Sequence, residues 1–546
     1  MTLSTSNRHR AVPRRRTARR APGSSPRLDR LLLDTSLVPL AALAGMLLIT
    51  RSGGIDDAYI SYRYAANLLA GHGLVFNPGE RVEGISNPLW TLLLAAGNAV
   101  GMPLPVAGHA LGVASLVAVV VITRRLALAL GSSRGVAVAV ATGVALTTDI
   151  VAGSTMGLEG ALYGALLLAA LLVWKGAGRH RIAFAAATCA LAATRPEGMV
   201  IGALLAAAHL LDVRAPRNAR LASAAAGLGG VVALLAARFA YYGQLLPNSV
   251  VAKRDGGAFS LRAYLAHAVD GTIYLLLGGG GVIAVVTAAL VFWAVQRVVA
   301  RGADNEAPTW PGPVVPAVLV VGAGFALPLV SGGDWMPHAR LVVPYLPIVY
   351  ALTAVLLSRV DVRRAAAVAA AAPLLMAFVG SHELPLRDDG GANPVVTSRG
   401  FDRVGRSLAA TGLRDRLVTT DVLGRVGFWA PSVRFHDSLG LTDPQVAHSP
   451  TPGSVYGKRN WTHTVALDAA AVLGNDWRNL DAFLRAGPAT PYVGLVSTRL
   501  TGDRVFVLVD PDVAPRLSAA LGDEDARLLP ADRALEVWRR EVPQGQ

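Results

Sequence analysis

The sequence predicts a polytopic α-helical membrane protein that carries an α/β domain at its C-terminal end. Three observations lead there. Of its 546 residues, 53% are hydrophobic and only 16% charged, and the mean hydropathy is +0.45; that balance excludes a soluble enzyme of two or three domains. Apolar runs of the length that enters a bilayer recur through residues 31–380. Residues 381–546 are more polar and alternate strand-like with helix-like stretches, enough chain for one small domain.

Residues 1–30 hold nine Arg and one Asp among Ser, Thr and Pro. This composition predicts a disordered basic tail on the cytoplasmic side, near anionic lipid. No domain with aromatic platforms accompanies it, so the partners read from the chain are membrane lipid and not nucleic acid. The apolar segment after the tail has no small-residue cleavage site and reads as a first crossing, not a signal peptide. Crossings are predicted near 31–50, 106–122, 136–152, 159–174, 181–194, 197–211, 220–241, 272–296, 313–331, 340–358 and 364–380. That makes about 11, some shorter than the usual ~20 residues. The single cysteine, Cys189, lies within an apolar run, so no disulfide forms within the chain, and no Cys/His zinc spacing occurs.

Basic loops set the orientation. With the N-terminus inside, Arg124 and Arg125, Lys175 to Arg181, Arg214 to Arg220, Arg297 with Arg301, and Arg359 with Arg363 and Arg364 all fall inside. Lys253 and Arg254 are the exception, in a longer outer loop. The alternation requires that the apolar run at 87–101 does not cross. Asn87-Pro88-Leu89-Trp90 onward is therefore expected to lie along the outer interface, anchored by Trp90. An odd number of crossings then places 381–546 outside. Within it, Tyr492 to Val496 and Arg504 to Val509 read as strands, and Asp402 to Ala410 and Pro515 to Leu521 as helices.

The unusual polar clusters collect on the outer face. The first outer loop, within 51–105, holds Asp56, Asp57, Arg63, Asn77, Glu80 and Glu83. Later outer segments bring Glu159, Arg195 with Glu197, Asn248 with Lys253, and Asp334-Trp335 with His338 and Arg340. Carboxylates and cations converging at one membrane surface point to a site there. Bland readings stand beside each. Glu159 can favour a helix N-terminus, Arg195-Pro196-Glu197 can close a turn, Trp335 can be an interfacial belt residue, and a lone His is usually structural. Asp56 and Asp57 are harder to set aside, because Tyr and Arg crowd them where a crossing ends.

Sugar nucleotides and ATP stay in the cytosol, so a transferase facing outward draws on a donor that the membrane carries. A polyprenyl-phosphate sugar meets that need. Such a site requires a carboxylate base for the acceptor hydroxyl, a role for Asp56 or Asp57. It also requires cations or a metal for the leaving phosphate. Arg63, Lys253 and Arg340 are candidates, and oxygen ligands from the two acids with Glu159 or Asp334 would suit Mg²⁺ or Ca²⁺.

The stretch Asp56-Asp57-Ala-Tyr-Ile-Ser-Tyr-Arg63, continuing through Asn67, Gly71, Gly73, Phe76, Asn77, Gly79, Glu80, Arg81 and Glu83 to Gly84, resembles the first outer loop of the actinobacterial GT-C arabinofuranosyltransferases, those adding terminal β-(1→2)-arabinofuranose most nearly. Asn87-Pro88-Leu89-Trp90, Met156-Gly157-Leu158-Glu159, Arg195-Pro196-Glu197-Gly198, Leu246-Pro247-Asn248 and Gly333-Asp334-Trp335-Met336-Pro337 resemble the same family, as do Asp421-Val-Leu-Gly424-Arg-Val-Gly427 and Asp437-Ser-Leu-Gly440-Leu441-Thr442-Asp443. The resemblance covers roughly 50–450. It implies a GT-C fold, a decaprenyl-phosphoryl arabinofuranose donor and a cell-wall arabinan acceptor, arabinogalactan or lipoarabinomannan. It implies an essential acid in the first outer loop, carried over to Asp56 or Asp57, with Asp56 nearer the crossing. Acceptor contacts are expected from Asn77, Glu80, Glu83, Trp429, Asp437 and Asp443, with Tyr456, Trp461 and Trp477 as further stacking candidates. The long Arg-rich N-terminus and shorter tail depart from the mycobacterial members, which leaves the acceptor open. Transfer of a different polyprenyl-phosphate-linked sugar is one alternative. A lipid-linked sugar flippase is the competing class; it predicts midplane charges and broken helices in two matching halves, and neither is visible.

Overall fold

The computed structural model describes residues 36–50, 54–174, 180–212, 216–252, 313–331, 340–357, 399–413, 416–449 and 469–541, with isolated positions between 265 and 272 and at 336 and 338. The runs expected to cross at 272–296 and 364–380, and Lys253, Asp334, Trp335, Tyr456 and Trp461, lie outside the described residues.

The membrane part begins with α1 (Leu37–Ile49), α2 (Asp56–Leu69), α3 (Pro88–Ala99) and α4 (Leu104–Ala129). It continues with α5 (Arg134–Leu146), α6 (Thr148–Thr155), α7 (Gly160–Trp174), α8 (Arg181–Thr194), α9 (Glu197–Leu210), α10 (Arg217–Tyr242) and the short α11 (Asn248–Ala252). α12 (Val314–Ser331), a 3-10 turn at Val343–Tyr345 and α13 (Leu346–Leu357) complete it. Starts follow local chemistry. Pro88 opens α3, where its missing N–H costs nothing, and the Ser133 hydroxyl accepts from Val136 N to cap α5. Among the described residues three helices, α4, α10 and α12, are long and apolar enough to cross a membrane; α1, α7, α8, α9 and Val343–Val355 are shorter apolar helices. Leu116, Val120, Val144, Leu167, Leu171 and Phe184 belong to one buried apolar cluster that ties them together.

Three expectations change. The run at 136–152 is not one straight helix, because α5 and α6 meet at a 55° bend, as a broken span or a re-entrant loop would. Thr147 at the break is extended, and its hydroxyl donates back to Gly143 O at 2.9 Å, a contact that competes with helix continuation. The acidic stretch is not a loop but the first turn of the fourteen-residue α2. Trp90 is not an interfacial anchor: it is fully buried, and Nε1 donates to Gly157 O at 3.1 Å. Its ring packs in a cluster with Tyr62, Leu94, Leu104 and Met156, so α2 rather than a headgroup layer claims it.

The C-terminal part contains α14 (Arg399–Ala410), β1 (Leu417–Thr420), α15 (Leu423–Trp429), β2 (Arg434–Asp437), α16 (Pro444–His448) and β3 (Ala469–Gly474). α17 (Trp477–Arg485), β4 (Val493–Val496), α18 (Thr498–Gly502), β5 (Phe506–Val509), α19 (Ala514–Leu521), β6 (Arg527–Pro530) and α20 (Ala531–Glu541) follow. The six strands form one sheet in the order β2-β1-β3-β5-β4-β6. β1 lies parallel to β2 and β3, with Val418 opposite Phe435, and the remaining pairs are antiparallel. β1, α15 and β2 form a βαβ unit, and α15 leaves the carboxyl end of β1 directly against α2. The apolar core does not stop at that boundary. Ile60, Tyr64 and Phe76 share one cluster with Val418, Leu423 and Val426.

Candidate active site

The two neighbouring acids have opposite surroundings. Asp56 is buried beneath α15; its Oδ1 accepts from Arg425 N at 2.7 Å and Oδ2 from Gly424 N at 3.0 Å. The approach needs Gly424, since a Cβ there would stand 1.9 Å from Asp56 O. Burial, above all, and the neighbouring Asp57 charge push the Asp56 carboxyl up to about 6, against the two N–H groups that favour its charge. Asp57 is turned outward, with 28% of its side chain exposed, and Arg340 Nη1 stands 3.8 Å from its Oδ2.

Arg340 opens onto a cleft of about 40 Å³. Its walls are mainly apolar, including Val119, Ile150, Leu158, Ala161 and Pro344, with Arg195, His338 and Arg340 as its cationic or imidazole members. That volume holds only a few water molecules. His338 Nδ1 lies 2.9 Å from Asp149 Oδ1 on α6. His338 has φ 61, a left-handed conformation that costs a non-glycine residue on the order of 1 kcal/mol or more. Asp149 therefore holds the ring from one side while the backbone is strained beneath it. Asp149 was missed in the sequence, although an ionisable side chain inside a predicted crossing was a signal for it.

Glu159, Arg195 and Glu197 are brought together. Arg195 Nη1 donates to Glu159 Oε1 at 3.2 Å, and Nε donates to Glu197. Asn87 Nδ2 donates to Glu159 Oε2 at 2.7 Å, and Ser61 Oγ donates to Asn87 Oδ1 at 3.0 Å. This chain of bonds ties α2 to the start of α9. Two carboxylates already offset the Arg195 charge, so it walls the cleft instead of supplying an open cation for phosphate.

Several candidates do other work. Arg63 is not open to a donor phosphate. It is 1% exposed, and it donates from Nε to Phe76 O at 2.8 Å, from Nη1 to Gly427 O and to Ala430 O at 3.2 Å, and from Nη2 to Val433 O at 2.8 Å. Asn77 does not face an acceptor; it pairs with the backbone of Phe435 at 2.8 and 3.1 Å, completing the edge of β2. Glu80 is bound by Arg434 at 2.6 Å, and Glu83 forms a buried pair with Arg238 at 2.7 Å. Asn248 is fully buried and donates to Gly440 O at 2.7 Å. Asp437 is equally buried, its oxygens taken by Leu439 N and Thr442 N at 2.9 and 2.8 Å. Asp443 caps α16 and pairs with His436 at 2.9 Å. Trp429 carries Arg406 stacked 3.7 Å over its ring, so that face is taken, and Trp477 carries Arg539 at 5.0 Å. The sequence also gave no role to Arg425, which donates to both oxygens of Asp402 at 3.0 and 2.9 Å and lies 4.6 Å over the Tyr59 ring. Its only signal was its place inside the 421–427 stretch.

Asp334 lies outside the described residues, and two of the other candidate acids have their oxygens engaged. Asp56 spends its oxygens on backbone N–H groups and Glu159 on Arg195 and Asn87. Among the described residues no group of three or more His, Cys, Asp and Glu is arranged to hold one.

The fold is shared with ArnT. The chain superposes on ArnT from Cupriavidus metallidurans in the apo state with a TM-score of 0.56 at 12% identity, covering 89% of this chain and 98% of that one. ArnT bound to undecaprenyl phosphate superposes over the same shares of the two chains at 0.51, again at 12% identity. In sequence, no protein-family model matches. The chain is 34% identical over 248 residues to the terminal β-(1→2)-arabinofuranosyltransferase of Mycobacterium tuberculosis, a match covering 42% of this chain and 39% of that relative. The match thus spans about two fifths of the curated relative's length.

Proposed function

We propose that the chain is a polyprenyl-phosphate-dependent glycosyltransferase of the plasma membrane. It moves D-arabinofuranose from decaprenyl phosphate to a cell-wall arabinan, arabinogalactan or lipoarabinomannan. The N-terminus lies in the cytoplasm, while α2, the cleft and the sheet domain of 381–546 lie outside. The observation that carries the reading is the meeting of three features at one place: an apolar cleft, the cation Arg340 at its edge, and the outward carboxylate of Asp57 beside it. An isoprenoid phosphate asks for the first two, and an acceptor hydroxyl asks for the third. The likeness to ArnT, solved with undecaprenyl phosphate, supports the lipid half of the donor. The likeness to an arabinofuranosyltransferase supports the sugar.

In the proposed reaction Asp57 accepts the proton of the acceptor hydroxyl. The acceptor oxygen forms the new bond to C1 of the sugar as the bond from C1 to the phosphate oxygen breaks. The electron pair leaves with the lipid phosphate, and Arg340, with His338 braced by Asp149, offsets the charge it gains. The outward acid is thus Asp57, where proximity to the crossing had favoured Asp56. Transfer of radiolabelled arabinose from decaprenyl-phosphoryl arabinofuranose to a synthetic arabinofuranosyl acceptor by the purified chain tests the reading. Labelled acceptor supports it. Movement of the donor across liposomes without labelled acceptor would replace it with the flippase.

A further inference from the structure

One helix grips both ends of another. Asp56 and Arg63 are seven residues apart on α2, two turns along one face and about 10 Å from end to end. α15 is seven residues long and covers the same span. At its start the Asp56 carboxylate takes the N–H groups of Gly424 and Arg425. At its end the Arg63 guanidinium takes the carbonyls of Gly427, Ala430 and Val433. Gly424 N, Arg425 N and Gly427 O are backbone groups that a helix end leaves without partners of its own, and Ala430 and Val433 belong to the turn that follows. Two glycines permit the contact: a Cβ at Gly427 would stand 2.5 Å from Phe76 Cζ, and one at Gly424 would strike the Asp56 backbone. Arg425 closes the third side, donating to Gly54 O just before α2 and to Asp402 of α14.

We infer that α15 of the sheet domain is the part that holds the acidic first turn of α2 in its working position, with Arg63, Asp56 and Arg425 as positioning residues. The inference rests on the proposed glycosyl transfer and adds a condition to it: Asp57 is aimed only while α15 is docked. Asp57 follows Asp56 in the same turn, so any shift of that turn moves its carboxylate relative to Arg340 and the cleft. The C-terminal part is then not only a platform for an acceptor. It completes the reacting site from more than 360 positions away in the chain.

The test uses the full chain in detergent with two conservative variants. Arg63→Lys keeps the charge but not the planar fork that reaches three carbonyls. Gly424→Ala places a methyl group where Asp56 must approach. Both are expected to lower kcat about 100-fold, the effect of an ångström-scale misplacement. KM for the donor should stay within about threefold, because the cleft is untouched. Hydrogen exchange over residues 54–62 should quicken in both, while α4 and α7 stay protected. Arg434→Ala, which removes an exposed ion pair across the same boundary, should change neither readout. A kcat within about threefold of wild type with unchanged exchange in both variants would overturn the inference, as would a rise in donor KM alone. Should the wild type fail to transfer arabinose, the glycosyl-transfer reading falls separately. The exchange measurement would still decide whether α15 orders the acidic turn.

Discussion

The boundary between α2 and α15 and the cleft beside Arg340 are both rich in charge, and they use it in opposite ways. At the boundary Asp56 is held by two N–H groups and Arg63 by four carbonyls, and in the loop after α2 Glu83 is paired with Arg238 of α10. Beside the cleft, Asp57 and Arg340 face each other at 3.8 Å and keep 28% and 20% of their side chains exposed. The difference teaches that charge density alone does not mark a reacting group. Buried charges hold the elements together, and the partly exposed ones beside a cavity are those the proposed reaction uses.

Removing a buried, paired charge should cost stability, and removing a partly exposed one beside the cleft should cost chemistry. The largest structural effect is expected at Glu83. Glu83→Ala leaves the buried Arg238 guanidinium unpaired, which should cost about 3–5 kcal/mol, measured as loss of the folded chain in detergent melting. The same substitution at Asp57 should leave the melting curve nearly unchanged.

Asp56 gives a second contrast, this one in pH. Its carboxyl is raised from 3.8 to about 6, so the folded chain binds that proton more tightly than the unfolded chain does. Stability from this group is therefore fully present below pH 3.8, falls as pH rises toward 6, and is flat above. The fall amounts to about 3 kcal/mol. Melting followed from pH 4 to 7 should show this slope in the wild type and lose it in Asp56→Asn.

Asp149→Asn is expected to act at the cleft more gently. It frees the His338 ring without removing it, and donor KM should rise about tenfold, or about 1.4 kcal/mol, with little change in melting. The smallest effect belongs to the exposed pair of Arg485 and Asp481, where Arg485→Ala should shift stability by less than about 0.5 kcal/mol.

Much of the architecture is legible in the chain because it is local. Apolar runs placed α4, α7, α8, α9, α10 and α12, and strand-like runs placed β4 and β5 within a residue or two. What pairs with what is not local. The positions that hold Asp56 and Arg63 lie some 370 residues downstream, and no spacing rule connects them. Trp90 shows the same limit. An aromatic at the start of an apolar helix reads alike whether a headgroup layer or α2 covers it, and here α2 does. The break at Thr147 carries no Pro or Gly to announce it. At the proposed site, the sequence singled out the acid pair, Arg340 and His338 as candidates, but the division of labour between Asp56 and Asp57 depends on which carboxylate α15 covers.

That division is tested most directly by single-turnover transfer from radiolabelled decaprenyl-phosphoryl arabinofuranose, measured beside melting, for Asp57→Asn and Asp56→Asn. Asp57→Asn should lose transfer by about 10²–10⁴ while melting like the wild type. Asp56→Asn should melt at a lower temperature and retain transfer in proportion to the turn that still holds. Wild-type transfer by Asp57→Asn, together with no transfer by a well-folded Asp56→Asn, would contradict the account and give the acid's role to the buried carboxylate.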